Sequence, residues 1–205
     1  MTTALTLISG VAWTLVYIDA IRIGLKDRTY AMPLFALALN FAWEGIYTYR
    51  SLASGPDLQG IINACWFLFD IGLVYTFVRY GRRYWTASLP PWTFYAWGGL
   101  ALVTAVLLQL AFLGQFGEQL ASRYSAFLQN LLMSVLFIGM FVARNGPEGQ
   151  SRFIAVNKWI GTLAPTFVYG VFEQNLLVIV AGALCSVFDL IYVALLVSVR
   201  KHKLN

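Results

Sequence analysis

An all-α integral membrane protein with seven transmembrane helices is the fold class the sequence predicts, and three observations carry that reading. Of 205 residues 60% are hydrophobic and only 11% charged, with a mean hydropathy of +0.70. The apolar residues fall into successive runs of roughly 20, the length at which an α-helix crosses the hydrocarbon core. The connections between them are short, which leaves no place for a soluble domain, a linker or a low-complexity tail. Residues 1–205 are therefore read as one membrane domain.

The first span, Ala4–Ile23, follows "MTT" with no basic segment ahead of it, so it is expected to stay in place and not to be cleaved as a signal peptide. The second, Ala31–Tyr49, runs into "NFAWEGIYTYR" and carries Glu44. The third, Leu58–Val78, carries Asp70; the fourth and fifth, Trp92–Leu113 and Tyr124–Ala143, carry no acid. The sixth is Phe153–Val171, and the seventh, Asn175–Val199, carries Asp189. Cys65 and Cys185 stand alone on separate spans and read as small buried hydrophobes without a disulfide.

Basic residues set the topology. Arg22, Lys26 and Arg28 follow the first span; Arg79, Arg82 and Arg83 follow the third; Arg144, Arg152 and Lys158 flank the next odd loop; Arg200, Lys201 and Lys203 lie in the tail. Only Arg50 and Arg123 fall on the other side, so the positive-inside rule predicts an outside N-terminus and a cytoplasmic C-terminus. Spread over several loops, these charges form no stripe for nucleic acid.

The residues that are missing narrow the chemistry. The single histidine, His202, lies in the tail, which removes a histidine base, a Ser-His triad and a histidine metal site from the spans. No glycine-rich phosphate loop precedes a helix, and the last span has no lysine for a retinal. No cofactor and no metal is expected.

The nine acids are what remain. Asp27, Asp57, Glu118 and Glu148 fall in loops; Asp19 lies three residues before Arg22, the spacing of an ion pair on one helix face; Glu173 reads as a loop or capping residue. Glu44, Asp70 and Asp189 lie deep in their spans, where a charge costs roughly 2.5–3.5 kcal/mol and acids serve an ion path, a proton relay or a reaction. Around them, Asn40, Trp43 and Tyr47 share a stripe with Glu44, Asn63 and Trp66 share one with Asp70, and Ser186 and Tyr192 flank Asp189. Lipid would not solvate such faces, so they are expected to enclose a common cavity. Tyr30, Tyr84, Trp85 and Trp92 read as interfacial belt.

A neutral carboxyl in an apolar site can carry a proton, and aromatic faces attract a cation. Such a set can start and steer a carbocation in a polyprenyl chain drawn from the bilayer, and it would serve a proton-coupled transporter equally well. "FD" recurs in the third and seventh spans, on either side of a linking fourth, which suggests the plan of small sugar transporters as the second reading.

The segments "LNFAWEGIYTY", "WFLFDIGLVY", "KWIGTL" and "FDLIYVALL" resemble the small integral-membrane terpene cyclases of meroterpenoid and indole-terpenoid biosynthesis, a family of fungi and actinobacteria. The resemblance covers essentially the whole chain. It implies cyclisation of a prenyl chain on an aromatic or indole acceptor, by protonation of a terminal olefin or epoxide without a metal. It also implies that Glu44 and Asp189 match the family's essential acids, with Asp70 at an acidic position of the third helix and Asn40, Trp43, Tyr47, Asn63, Trp66 and Tyr192 around the substrate. The short N-terminus is closer to the bacterial members that act on farnesylated indole diketopiperazines, so a bacterial cytoplasmic membrane is expected. Independently, the sequence has neither DDxxD nor DxDD and no two adjacent acids, so a metal-free, proton-initiated route is the cyclase mechanism these residues could support.

Overall fold

In the computed structural model, residues 1–55 and 58–202 are described, with side chains to residue 199. Asp57 and Lys203 lie outside the described residues, as do the side chains of Arg200, Lys201 and His202. The described chain forms six α-helices and no strand: α1 Thr2–Lys26, α2 Leu34–Ser54, α3 Leu58–Tyr80, α4 Pro91–Ala143, α5 Arg152–Pro165 and α6 Leu176–His202. Four of them are long and apolar enough to cross a membrane by themselves. The other two, α2 and α5, fall short because one carries Asn40, Glu44 and Arg50 and the other spans only 14 residues.

Seven helices were expected, and the difference lies in α4. Its 53 residues merge the fourth and fifth spans without an intervening loop. A straight helix of that length would reach about 80 Å, and Gln109 and Gln129 would stand about 30 Å apart. They are hydrogen-bonded at 3.0 Å, so the two halves fold back on one another. The reversal occurs at Gly117, whose φ 70, ψ 168 is a conformation that strongly favours glycine.

The remaining boundaries follow local rules. Proline opens α4 at the first helical position, where its missing N–H costs nothing. Ser151 caps α5 by accepting the Ile154 amide at 3.0 Å. Pro165 disturbs the regular ladder, and α5 continues as a wider π turn over Thr166–Phe172. Asn175 then caps α6 by accepting the Val178 amide. At Gly182 the helices come so close that a Cβ would run into the Thr166 side chain.

Helix α1 packs between α3 and α5, α2 between α3 and α4, and α6 against α4 and α5. The outer surface carries large apolar side chains, including Leu68, Leu107, Val103 and Val187. Cys65 faces outward among them, contrary to the expectation of a buried thiol, while Cys185 is buried; neither forms a disulfide. One end of the bundle gathers the α1–α2, α3–α4 and α4–α5 connections. There Arg22 pairs with Asp19 at 2.5 Å, as the spacing predicted, and Ser151 donates to the other Asp19 oxygen. Arg144 is held between the rings of Tyr30 and Tyr84 at 4.2 and 4.1 Å, so these tyrosines clamp a guanidinium rather than only marking an interface.

Candidate active site

A cavity of about 310 Å3 opens at the opposite end, between the α2–α3 turn and the Gly117 reversal. That volume is at the lower end of the roughly 300–1,000 Å3 of ligand sites. Six of the residues picked from the sequence border it: Asn40, Trp43, Glu44, Tyr47, Asn63 and Trp66. Helical spacing explains the α2 contribution, because Asn40, Glu44 and Tyr47 recur on one face.

The acid of this cavity is tightly held. Tyr17 donates its hydroxyl to Glu44 Oε1, and Asn40 Nδ2 donates to the same oxygen at 2.9 Å. Asn40 Nδ2 also lies 3.3 Å from Asp70 Oδ2. Two oxygens held at 2.9 and 3.3 Å from one nitrogen are within about 6 Å of each other, so Glu44 and Asp70 form a pair across α2 and α3. Asp70 is fully buried behind Asn40 and does not border the cavity. Glu44 Oε2 and Asp70 Oδ1 are buried without a hydrogen-bond partner, and a proton on either acid satisfies one of them. No salt bridge to either acid occurs among the described residues.

Aromatic rings form the wall. Trp43 stands 4.9 Å from Tyr47 and fixes its indole by donating to the Ser122 carbonyl at 3.0 Å. Trp66 donates to Thr14 Oγ1 at 3.2 Å and lies 6.3 Å from the Tyr17 ring. At the mouth, Arg50 pairs with Glu118 at 2.6 Å and Arg123 pairs with Glu173 while covering the Tyr169 ring.

Two expected members are elsewhere. Asp189 does not share the chamber: it accepts from Lys158 at 2.6 Å, with both side chains at most 1% exposed, and Lys158 also donates to Ser134. Lys158 was read as a charge flanking a loop, but it lies nearly two turns inside α5 and is fully buried in the bundle. Tyr192 does not line the cavity either; its hydroxyl donates to Gln150 Oε1 at 2.8 Å and its ring packs on Phe137. On α6 these residues face α5 and the second half of α4, away from α2.

Sequence reasoning missed Tyr17, Gln109 and Gln129. Ser9, Trp13 and Tyr17 recur every four residues on α1 and border the cavity together, a signal like the one used for α2 and α3. Gln109 and Gln129 are buried amides in apolar spans, the same anomaly as a buried acid in milder form. Among the described residues no group of three His, Cys, Asp or Glu could hold a metal ion.

The sequence profile of the Pyr4-like transmembrane terpene cyclases matches residues 1–202. The chain belongs to this family. Curated relatives agree: this Pyr4-like chain is similar to the Pyr4-family terpene cyclase mfmH of Annulohypoxylon moriforme, with 29% identity over 167 residues, 80% of this chain and 68% of the relative. It is 32% identical over 158 residues to the terpene cyclase dpchB of Colletotrichum higginsianum, covering 77% and 65%. It is 31% identical over 167 residues to the terpene cyclase macJ of Penicillium terrestre, covering 78% and 62%. The chain thus spans about two thirds of the length of the curated relatives it matches. No solved structure matches it. All three relatives are fungal cyclases, so neither the bacterial origin nor the transport reading has support.

Proposed function

We propose that this Pyr4-like chain is a membrane-bound cyclase that folds the prenyl chain, farnesyl in length, of an aromatic or indole meroterpenoid precursor into the cavity beside Glu44. The observation that carries the reading is the Tyr17–Asn40–Glu44–Asp70 cluster set at the edge of an aromatic-walled cavity. The end that gathers Asp19, Arg144 and Ser151 faces the cytoplasm, in line with the positive-inside rule, although Lys158 no longer counts toward it.

The step begins with the proton of the Glu44 carboxyl passing to the CH carbon of the terminal double bond, the one nearer the chain. The π pair forms the new C–H bond and leaves a tertiary cation, which the next double bond attacks to close a ring. With a terminal epoxide the proton goes to oxygen, the C–O bond breaks and a hydroxyl remains. The Tyr17 and Asn40 hydrogen bonds to Oε1 stabilise the carboxylate left behind and are already oriented before the proton moves. Trp43, Tyr47 and Trp66 screen the migrating charge and keep water away, while Asn63 lines the same wall. A final proton returns to the acid pair, so the product is an isomer of the substrate and no metal takes part. Asp189, committed to Lys158, supports the fold around the site and does not give up the first proton.

The test is conversion, in D2O with EDTA, of a farnesylated indole diketopiperazine and of a farnesylated phenol bearing a terminal epoxide. A cyclised product that keeps one carbon-bound deuterium from the olefin probe, or a hydroxylated ring from the epoxide probe, made despite EDTA and lost in Glu44→Gln, is the expected result. No conversion of either probe by folded protein would overturn it.

A further inference from the structure

The direction of one side-chain amide decides how the acid pair is held, and that direction is set from a distance. Gln109, on the first half of α4, is 2% exposed and does not border the cavity. Its Nε2 donates to Gln129 Oε1 at 3.0 Å on the second half. Gln129 Nε2 then donates to Asn40 Oδ1 at 3.4 Å. Asn40 is left with Nδ2 for the Tyr17 hydroxyl, to which it donates, and for the acids, 2.9 Å from Glu44 Oε1 and 3.3 Å from Asp70 Oδ2.

An amide has one accepting and one donating end, and nothing intrinsic prefers either orientation. Here Gln129 is oriented by Gln109, whose Oε1 is buried without a partner, and Asn40 is oriented by Gln129. A reversed Asn40 would put its carbonyl against two carboxyl groups, oxygen against oxygen. It would also take its N–H donors away from the Tyr17 hydroxyl and the two carboxyl oxygens beside it. With the donors in place, Glu44 Oε2 and Asp70 Oδ1 are the oxygens free to carry the proton.

We propose that Gln109 and Gln129 are positioning residues for the protonation step, a relay that fixes the Asn40 amide with its donor end on Glu44 and Asp70. This rests on the cyclase reading above. The relay joins both halves of α4 to α2, so it exists only because the chain reverses at Gly117.

Turnover of the two farnesyl probes by wild type, Gln109→Met and Gln109→Glu, each compared at equal folded fraction, tests it. Gln109→Met keeps the volume and removes the donor, so kcat falls roughly tenfold while KM stays at the wild-type value, since the side chain does not reach the cavity. A glutamate at this position donates only when protonated, so the kcat of Gln109→Glu relative to wild type rises as pH falls. Wild-type kcat in Gln109→Met, or a Gln109→Glu variant that keeps a constant ratio to wild type at every pH, would overturn the relay. Failure of wild type to convert either probe overturns the cyclase reading and the relay with it.

Discussion

Lys158 donates to Asp189 at 2.6 Å across the α5–α6 interface, with side-chain exposures of 0% and 1%. Removing one partner of a buried pair leaves an uncompensated charge and costs about 3–5 kcal/mol, whereas replacing both with apolar residues is close to neutral. Lys158→Met should therefore unfold far earlier than wild type on heating in detergent, and the Lys158→Met/Asp189→Leu double variant should recover most of the difference. Turnover by the recovered double variant would give Asp189 a structural part; an inactive but stable double variant would return it to the reaction.

Glu44→Gln keeps the shape of the side chain and removes the acid. A positioned general acid contributes typically 10²–10⁴-fold, so turnover should fall by about that factor with the thermal transition little changed. Tyr17→Phe removes only one of two donors to Oε1 and should cost roughly tenfold, consistent with a single hydrogen bond. Equal losses in both variants would argue against Glu44 as the proton source.

At Gly117 the backbone lies at φ 70, ψ 168. A side chain there costs about 1–3 kcal/mol, so Gly117→Ala should lower the unfolding temperature. No atom stands within 4 Å of the Cβ it would add, which makes backbone strain the cause and not a clash. Kinetic measurement should show turnover falling further than at Gly114→Ala, a neighbouring glycine with equal space and helical geometry.

Trp66 borders the cavity and lies 6.3 Å from the Tyr17 ring. Trp66→Ala removes an aromatic face and admits water, so mass spectrometry should find partly cyclised products heavier by one water alongside the wild-type product. An unchanged product profile would mean that the cation does not pass this ring.

How far the site was legible depended on whether its residues shared one helix. Asn40, Trp43, Glu44 and Tyr47 belong to one stripe of α2, and a period of 3.6 residues is enough to group them. Tyr17 belongs to a similar stripe on α1, but that helix has no mid-span acid to direct attention to it. Lys158 looked like a loop charge because it stands only six residues inside α5, and sequence does not say which way a residue near a helix end faces. Asp189 and Tyr192 presented the residue types of the site but lie outside this cavity, since helix rotation about the bundle axis leaves no mark in composition.

By itself the sequence determined the membrane setting, the helical class and the Glu44 stripe, because apolar run length and the cost of a buried charge are local quantities. Tertiary structure alone decided that Asp70 joins Glu44 through Asn40, that Asp189 joins Lys158, and that the fourth and fifth spans reverse at a single glycine to bring Gln109 onto Gln129. Each of these is a contact between residues at least 20 positions apart, fixed by which helix faces meet, and no periodicity along the chain encodes that meeting.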